Sequence, residues 1–163
     1  MLVNSISQEI KHRVKLETDN YLKMKEYVLG FAFNEAKNNI VLIEKTKPEW
    51  QAGSLNGVGG KVEEYDEDFH SAMSREFLEE TGVFINPSEW DYFASMTFEG
   101  GSAVVYCFRV FSDKVLQAQT IEEEQIKVLH IDEVCTYKTL KNLNVLIPAA
   151  LDEDFVFCNF NIK

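Results

Sequence analysis

The stretch GGKVEEYDEDFHSAMSREFLEETGV, residues 59–83, decides the reading of this chain, because it puts carboxylates where the apolar side of a helix belongs. At about 100° per residue, counted from Glu76, the side chains of Phe69, Ala72, Met73 and Phe77 share one arc. Glu67, His70, Ser71, Ser74, Arg75 and Thr81 fill the opposite side, with Leu78 the exception. Glu76, Glu79 and Glu80 fall at about 0°, 300° and 40°, inside or beside the apolar arc. A solvated charge run would lie on the other face. Carboxylates at i, i+3 and i+4 repel one another by roughly 0.3 kcal/mol per pair, so a positive group is expected among them. A hard divalent cation meets that need, since Mg2+ prefers oxygen ligands, keeps part of its water shell and is commonly shared with substrate phosphates. Zinc or iron fits less well: His12, His70, His130, Cys107, Cys135 and Cys158 show no metal-ligand spacing.

The composition frames this idea. A chain of 163 residues, 45% hydrophobic and 12% aromatic, is expected to form one domain, 1–163, with a proper core and a peripheral segment over 1–20. A net charge of -11 argues against a nucleic-acid polymer as partner, because that binding relies on Lys and Arg neutralising phosphates. A small phosphate ester held through metal ions stays compatible with it. No apolar run is long enough to span a membrane, and MLVNSISQEIKHRVKLETDN lacks the apolar centre of a signal peptide. Unpaired, scattered cysteines suit a reducing cytoplasm.

Along the chain, 26–33 and 39–45 read as strands joined by the polar turn NEAKN, a hairpin. Residues 46–60 read as a glycine-rich loop, and 66–81 as the carboxylate helix, ended by Gly82. A second hairpin is expected over 90–100 and 102–111 around Gly100 and Gly101, and a further strand over 124–131. A helix over 138–151 would carry Pro148 near its start or be kinked by it, and 154–162 closes as a strand. For 1–20, strand and helix stay equally open. The result is an α/β chain with a mixed sheet and helices on its faces.

The spacing in 59–83 resembles the signature of the Nudix hydrolases: glycine, five residues, Glu, seven residues, then Arg-Glu-apolar-any-Glu-Glu-any-Gly-apolar. Arg75, Glu76, Phe77, Glu79, Glu80, Gly82 and Val83 match its second half. Counting back from Arg75 reaches Glu67, but six residues, not five, separate it from Gly60. Either the loop carries a one-residue insertion, or Asp66 stands in for Glu67 with the extra residue at the helix start. The loop is expected to absorb it, since a one-residue shift of the helix register would rotate the glutamates by about 100° away from the site. The resemblance implies an αβα sandwich and hydrolysis of a nucleoside diphosphate linked to another group, with Mg2+ or Mn2+ as cofactor. It also implies Glu76, Glu79 and Glu80 as metal ligands, joined by the carbonyl of Gly59, with Arg75 orienting a glutamate. Lys61 could reach a phosphate. The general base is left open between a signature glutamate, Glu99 and the run Glu122, Glu123, Glu124.

For the substrate, AGSLNGVGGKV (52–62) is similar to the matching segment of the MutT-like oxidised-purine nucleoside triphosphatases, which sanitise the nucleotide pool of 8-oxo-dGTP. That similarity implies Asn56 and Trp50 at the purine. One departure weakens it: the aspartate pair of those enzymes falls on Asn142 and Leu143. The expected activity is Mg-dependent hydrolysis of a purine or oxidised-purine nucleoside triphosphate to the monophosphate and pyrophosphate. The alternatives are hydrolysis of ADP-ribose, a dinucleoside polyphosphate or a nucleotide sugar, and a non-catalytic module that senses a nucleotide. Degenerate modules lose a signature glutamate, and all three are present here, which favours the enzyme. Monomer and homodimer both stay open.

Overall fold

Alternation of apolar residues divides each central strand between two cores. In β1 (Lys25–Phe33), Leu29, Phe31 and Phe33 enter one cluster while Val28 and Ala32 enter the other. In β2 (Asn39–Glu44), Ile40 and Leu42 go to the first and Val41 and Ile43 to the second. A period of two with both faces apolar requires cover on both sides. Helix α1 (Phe69–Thr81) supplies it on one face through Ala72, Met73 and Phe77. Helix α2 (Leu143–Leu151) does so on the other through Leu143, Leu146, Ile147 and Ala150. The mixed sheet between them gives the expected α/β sandwich. The computed structural model describes residues 13–15, 24–155 and 157–162. Apart from 13–15, which are helical, the segment 1–20 lies outside the described residues. No described helix is long and apolar enough to cross a membrane.

The sheet continues with β3 (Leu55–Asn56), β4 (Asp91–Phe98), β5 (Ala103–Phe111), β6 (Gln125–His130) and β7 (Cys158–Ile162), in the order β3-β2-β1-β5-β4-β7, with β6 on β2. Pairs β1–β5 and β4–β7 are parallel, whereas β4–β5 is the expected hairpin, turned at Gly100 and Gly101 with positive φ. The first hairpin is shorter than expected. β1 and β2 pair at Ala32–Val41 and Phe33–Ile40 only. Beyond that, β1 bridges Val58 and Lys61, so the loop after β3 occupies its edge.

Two helices start later than the sequence suggested. α1 begins at Phe69, not Asp66, because Asp68 is its N-cap and accepts the Ser71 amide at 2.7 Å. α2 begins at Leu143 rather than 138, because Leu55 takes the preceding segment as a strand partner, donating to Lys138 O and accepting from Leu140 N. Pro148 lies inside α2, past its first turn. Buried Arg109 secures the end of that helix. Its guanidinium donates to the carbonyls of Asp152 at 2.6 Å and Phe155 at 3.2 Å, while Nε pairs with Asp91 at 2.8 Å. Gly82 ends α1 in the left-handed conformation, with φ 72°.

Candidate active site

The buried stripe of α1 is rotated from the expected one. Ser74 and Thr81 are buried, 4% and 0% exposed, although the wheel set them opposite the apolar arc. Their hydroxyls make it affordable, because Ser74 donates to Ile85 O and Thr81 to Phe77 O. The rotation leaves the three glutamates along the border of the stripe. Glu76 is nearly buried, with its side chain 13% exposed, and Glu79 is half in solvent at 46%. Glu80 has one oxygen, Oε2, that is buried without a hydrogen-bond partner among the described residues.

Arg75 ties this border together. Its Nε and one terminal nitrogen each reach Asp66 at 2.8 Å, the same terminal nitrogen donates to Lys61 O at 3.0 Å, and the other donates to Glu76 at 2.9 Å and Glu79 at 3.0 Å. The partner of Arg75 is therefore Asp66, and Glu67 is exposed. This geometry does not match the expected insertion in the loop: Asp66 stands in, and the added residue lies before the Asp68 cap, where it leaves the register of the helix and its glutamates unchanged. Tyr65, just before Asp66, sets its ring 5.5 Å from the guanidinium.

The glycines bring backbone against this cluster. Strand-like bonds from Val28 N to Gly60 O and from Gly30 N to Val58 O fix residues 58–60 along β1. With the carbonyls of Val58 and Gly60 turned toward β1, that of Gly59 points the other way. A side chain at Gly60 would collide with the Glu76 carboxylate, and one at Gly59 with the backbone of Val28.

Burial shifts the charges. Desolvation raises the Glu80 carboxyl to about 7, helped by the nearby negative charge of Glu122. Glu76 is raised by burial as well, against the pull of Arg75. Asp66 is lowered, chiefly by its hydrogen bonds from Arg75. A buried, unpartnered carboxylate oxygen beside further carboxylates, with oxygen as the donor type, suits a hard cation. Among the described residues no three acidic, His or Cys side chains already converge as a metal cluster, since Arg75 stands between Glu76 and Glu79.

Two cavities adjoin the border. One, of about 850 Å3, is lined by Glu80, Glu122, Glu123, Glu124, Ile121, Lys45, Lys47 and Pro48. The other is a cleft of about 970 Å3 whose walls include Trp50, Asn56 and Asn142 and which reaches Gly59 and Gly60. Trp50 is 69% exposed. Asn56 Oδ1 accepts its neighbour's Gly57 amide, so its side-chain NH2 is the group left for a ligand. Lys61 lies apart, paired with Glu63 at 3.4 Å and lining neither cavity. Of the base candidates, Glu122 borders Glu80, Glu124 is taken up by Lys45, Thr46 and Lys47, and Glu99 lines neither cavity. Sequence reasoning underrated Asn142, which lines the cleft with its Nδ2 3.5 Å from Met96 Sδ, and did not find Lys45. No local pattern marks either; both are brought in by pairing between distant segments.

The NUDIX domain model matches residues 24–149. Among solved structures, a MutT structure from work on Aliivibrio salmonicida and Vibrio cholerae covers 79% of this chain and 97% of its own, at 22% identity and TM-score 0.61. MutT from Bacillus halodurans covers 85% and 90%, at 18% identity and TM-score 0.62. The NUDIX domain of Shewanella oneidensis NrtR, solved with ADP ribose, covers 77% and 84%, at 14% identity and TM-score 0.60. At these identities the likeness is one of fold. No curated protein matches the chain.

Proposed function

The chain belongs to the Nudix family and is a pyrophosphohydrolase of a nucleoside diphosphate derivative, and from that premise we propose that its substrate is a purine nucleoside triphosphate, normal or oxidised as in 8-oxo-dGTP, cleaved to the monophosphate and pyrophosphate. The observation that carries this reading is the cleft itself. Its lining includes Gly59 and Gly60, the second of which abuts the Glu76 carboxylate, together with Trp50, Asn56 and Asn142. An aromatic face and two side-chain amides in the same cleft as a glycine backbone that touches the Glu76 carboxylate suit a base and its phosphates.

Nudix hydrolases use divalent metal ions, and Mg2+ or Mn2+ is proposed here, held by Glu76, Glu79, Glu80 and the Gly59 carbonyl. When bound, such an ion neutralises phosphate oxygens and lowers the pKa of the attacking water. Arg75 would keep Glu76 and Glu79 aligned while remaining anchored on Asp66 and Lys61 O. The close approach of Gly60 to Glu76 excludes any side chain from the space beside that carboxylate. Trp50 would stack on the base, an interaction worth about 1–3 kcal/mol. The Asn56 NH2 donates, and the Asn142 amide offers an acceptor as well, so together they can read a purine edge.

The test compares kcat/KM for normal and oxidised purine and pyrimidine triphosphates, ADP-ribose, dinucleoside polyphosphates and nucleotide sugars. Trp50→Ala is expected to raise KM for purine nucleotides by about tenfold or more. Asn56→Ala should narrow the gap between preferred and poor bases and leave the metal requirement intact. A wild-type preference for ADP-ribose or a nucleotide sugar, or an unchanged base ranking in both variants, would overturn the triphosphate assignment.

A further inference from the structure

We propose that Lys45 binds a phosphate group of the substrate where the two cavities meet, and that Glu124 is the positioning residue that holds it there. This rests on the reading of the substrate as a nucleotide anhydride. Among the described residues, only Lys45, Lys47 and Pro48 line both cavities. A substrate with its phosphates at the glutamates and its base at Trp50 and Asn142 passes these residues with the part that links the two.

The charge distribution points the same way. The chain has 27 acidic residues and a net charge of -11, yet among the described residues the cleft is lined by Lys45, Lys47, Lys138 and Lys141 and by no acidic residue. Of the two lysines at the junction, Lys47 is 76% exposed and faces Glu123 at 3.5 Å, a weak surface pair. Lys45 is the ordered one, only 20% exposed and bonded to Glu124.

Glu124 is built to hold a lysine without depending on it. Its Oε1 accepts the Thr46 amide at 2.7 Å, the Thr46 hydroxyl at 3.1 Å and the Lys47 amide at 3.4 Å, while Oε2 takes Lys45. The backbone of the segment after β2 thus fixes the carboxylate, and the carboxylate fixes the ammonium. An ammonium carries three donors, so one bond to Glu124 leaves two for phosphate oxygens. The positive charge of Lys45 also acts on the Glu80 carboxyl, which sets it within electrostatic reach of the glutamate border.

Lys45→Met, Glu124→Gln and the double variant are compared with wild type for kcat, KM, melting temperature, inhibition by inorganic tripolyphosphate and binding of guanosine. Lys45→Met is expected to raise KM about tenfold or more and to weaken tripolyphosphate inhibition in proportion, with guanosine binding unchanged. Glu124→Gln should raise KM by less, and by nothing further once Lys45 is Met, because it acts through the lysine. Should Lys45→Met fold poorly with its partner left uncompensated, the double variant removes both charges and carries the same KM and tripolyphosphate test. If Lys45 serves only as a structural ion pair, melting temperature falls while KM and tripolyphosphate inhibition stay at wild-type values, and the proposal is overturned. If wild type prefers another phosphate anhydride and Lys45→Met raises its KM, the triphosphate reading fails and the role of Lys45 stands.

Discussion

At the scale of single residues, the spacing around Arg75 shows what a linear pattern conveys. It marks a carboxylate that must meet the guanidinium, but a count along the chain cannot say whether the extra residue is taken up before or after that carboxylate. The structure gives Asp66 the role, with a side chain 4% exposed and both oxygens on Arg75, and leaves Glu67 in solvent. Replacing Asp66 by Asn should therefore cost about 2 kcal/mol at neutral pH, since a charge-assisted, nearly buried pair is broken. Glu67→Gln should change stability by less than about 0.5 kcal/mol. The pH dependence has a definite sign. The hydrogen bonds from Arg75 depress Asp66 below its ordinary 3.8, so its contribution is full above that value and is lost as pH falls through the folded value. The stability gap between wild type and Asp66→Asn, measured by urea unfolding, should accordingly be constant from pH 7 to 5 and shrink below about pH 4. A gap that widened on acidification, or a larger loss in Glu67→Gln, would reassign the partner of Arg75.

At the scale of elements, the central strands and the end of α1 were legible because their signals are local: β1 and β2 alternate between two cores, and α1 carries its terminating glycine. The start of α1 is read too early, because Asp66, Glu67 and Asp68 in a row hide which carboxylate caps it. The start of α2 was not legible, because Leu55 recruits residues 138–140 into a strand-like bridge, and such long-range pairing overrides local propensity. The burial of Ser74 and Thr81 was equally hidden, since it depends on carbonyls their hydroxyls find in the fold. The loop between β3 and α1 has two adjacent glycines with different functions. Gly59 lies against the Val28 backbone, which cannot yield without breaking the pairing with β1, whereas Gly60 lies against the end of the Glu76 side chain, which can turn away. Gly59→Ala should consequently lower the melting temperature by several degrees, about 2–4 °C for each kcal/mol lost. Gly60→Ala should keep near-wild-type melting but lose most of its turnover, because the added methyl displaces the Glu76 carboxylate from its place beside Gly60 and Arg75. Equal melting losses in both variants would contradict this division.

At the scale of the whole molecule, the sheet separates two apolar cores, and the acidic border of α1 lies beside one of them at the edge of the larger cleft. Folding without a cation therefore has to hold the buried, unpartnered oxygen of Glu80 near Glu76, Glu122 and Glu124, with Arg75 spread over Glu76 and Glu79 as partial compensation. A ligand that binds only the folded chain stabilises it by mass action, by about 2.7 kcal/mol at one hundred times its dissociation constant. Mg2+ should thus raise the melting temperature of the wild-type chain by roughly 5–10 °C at saturation, and chelation should reverse the gain. In Glu80→Gln the two effects separate. The metal-free protein should melt at or above the wild-type temperature, because a charge disfavoured by burial is gone, while the Mg2+-induced rise should shrink and turnover should fall at least a hundredfold, an interaction lost from the transition state. Differential scanning calorimetry with and without Mg2+, run beside single-turnover assays, measures both. A variant that melts lower than wild type without metal yet keeps the full Mg2+ shift would mean that Glu80 supports the fold and not the ion, and the ligand set would then have to be sought among Glu76, Glu79 and Glu122.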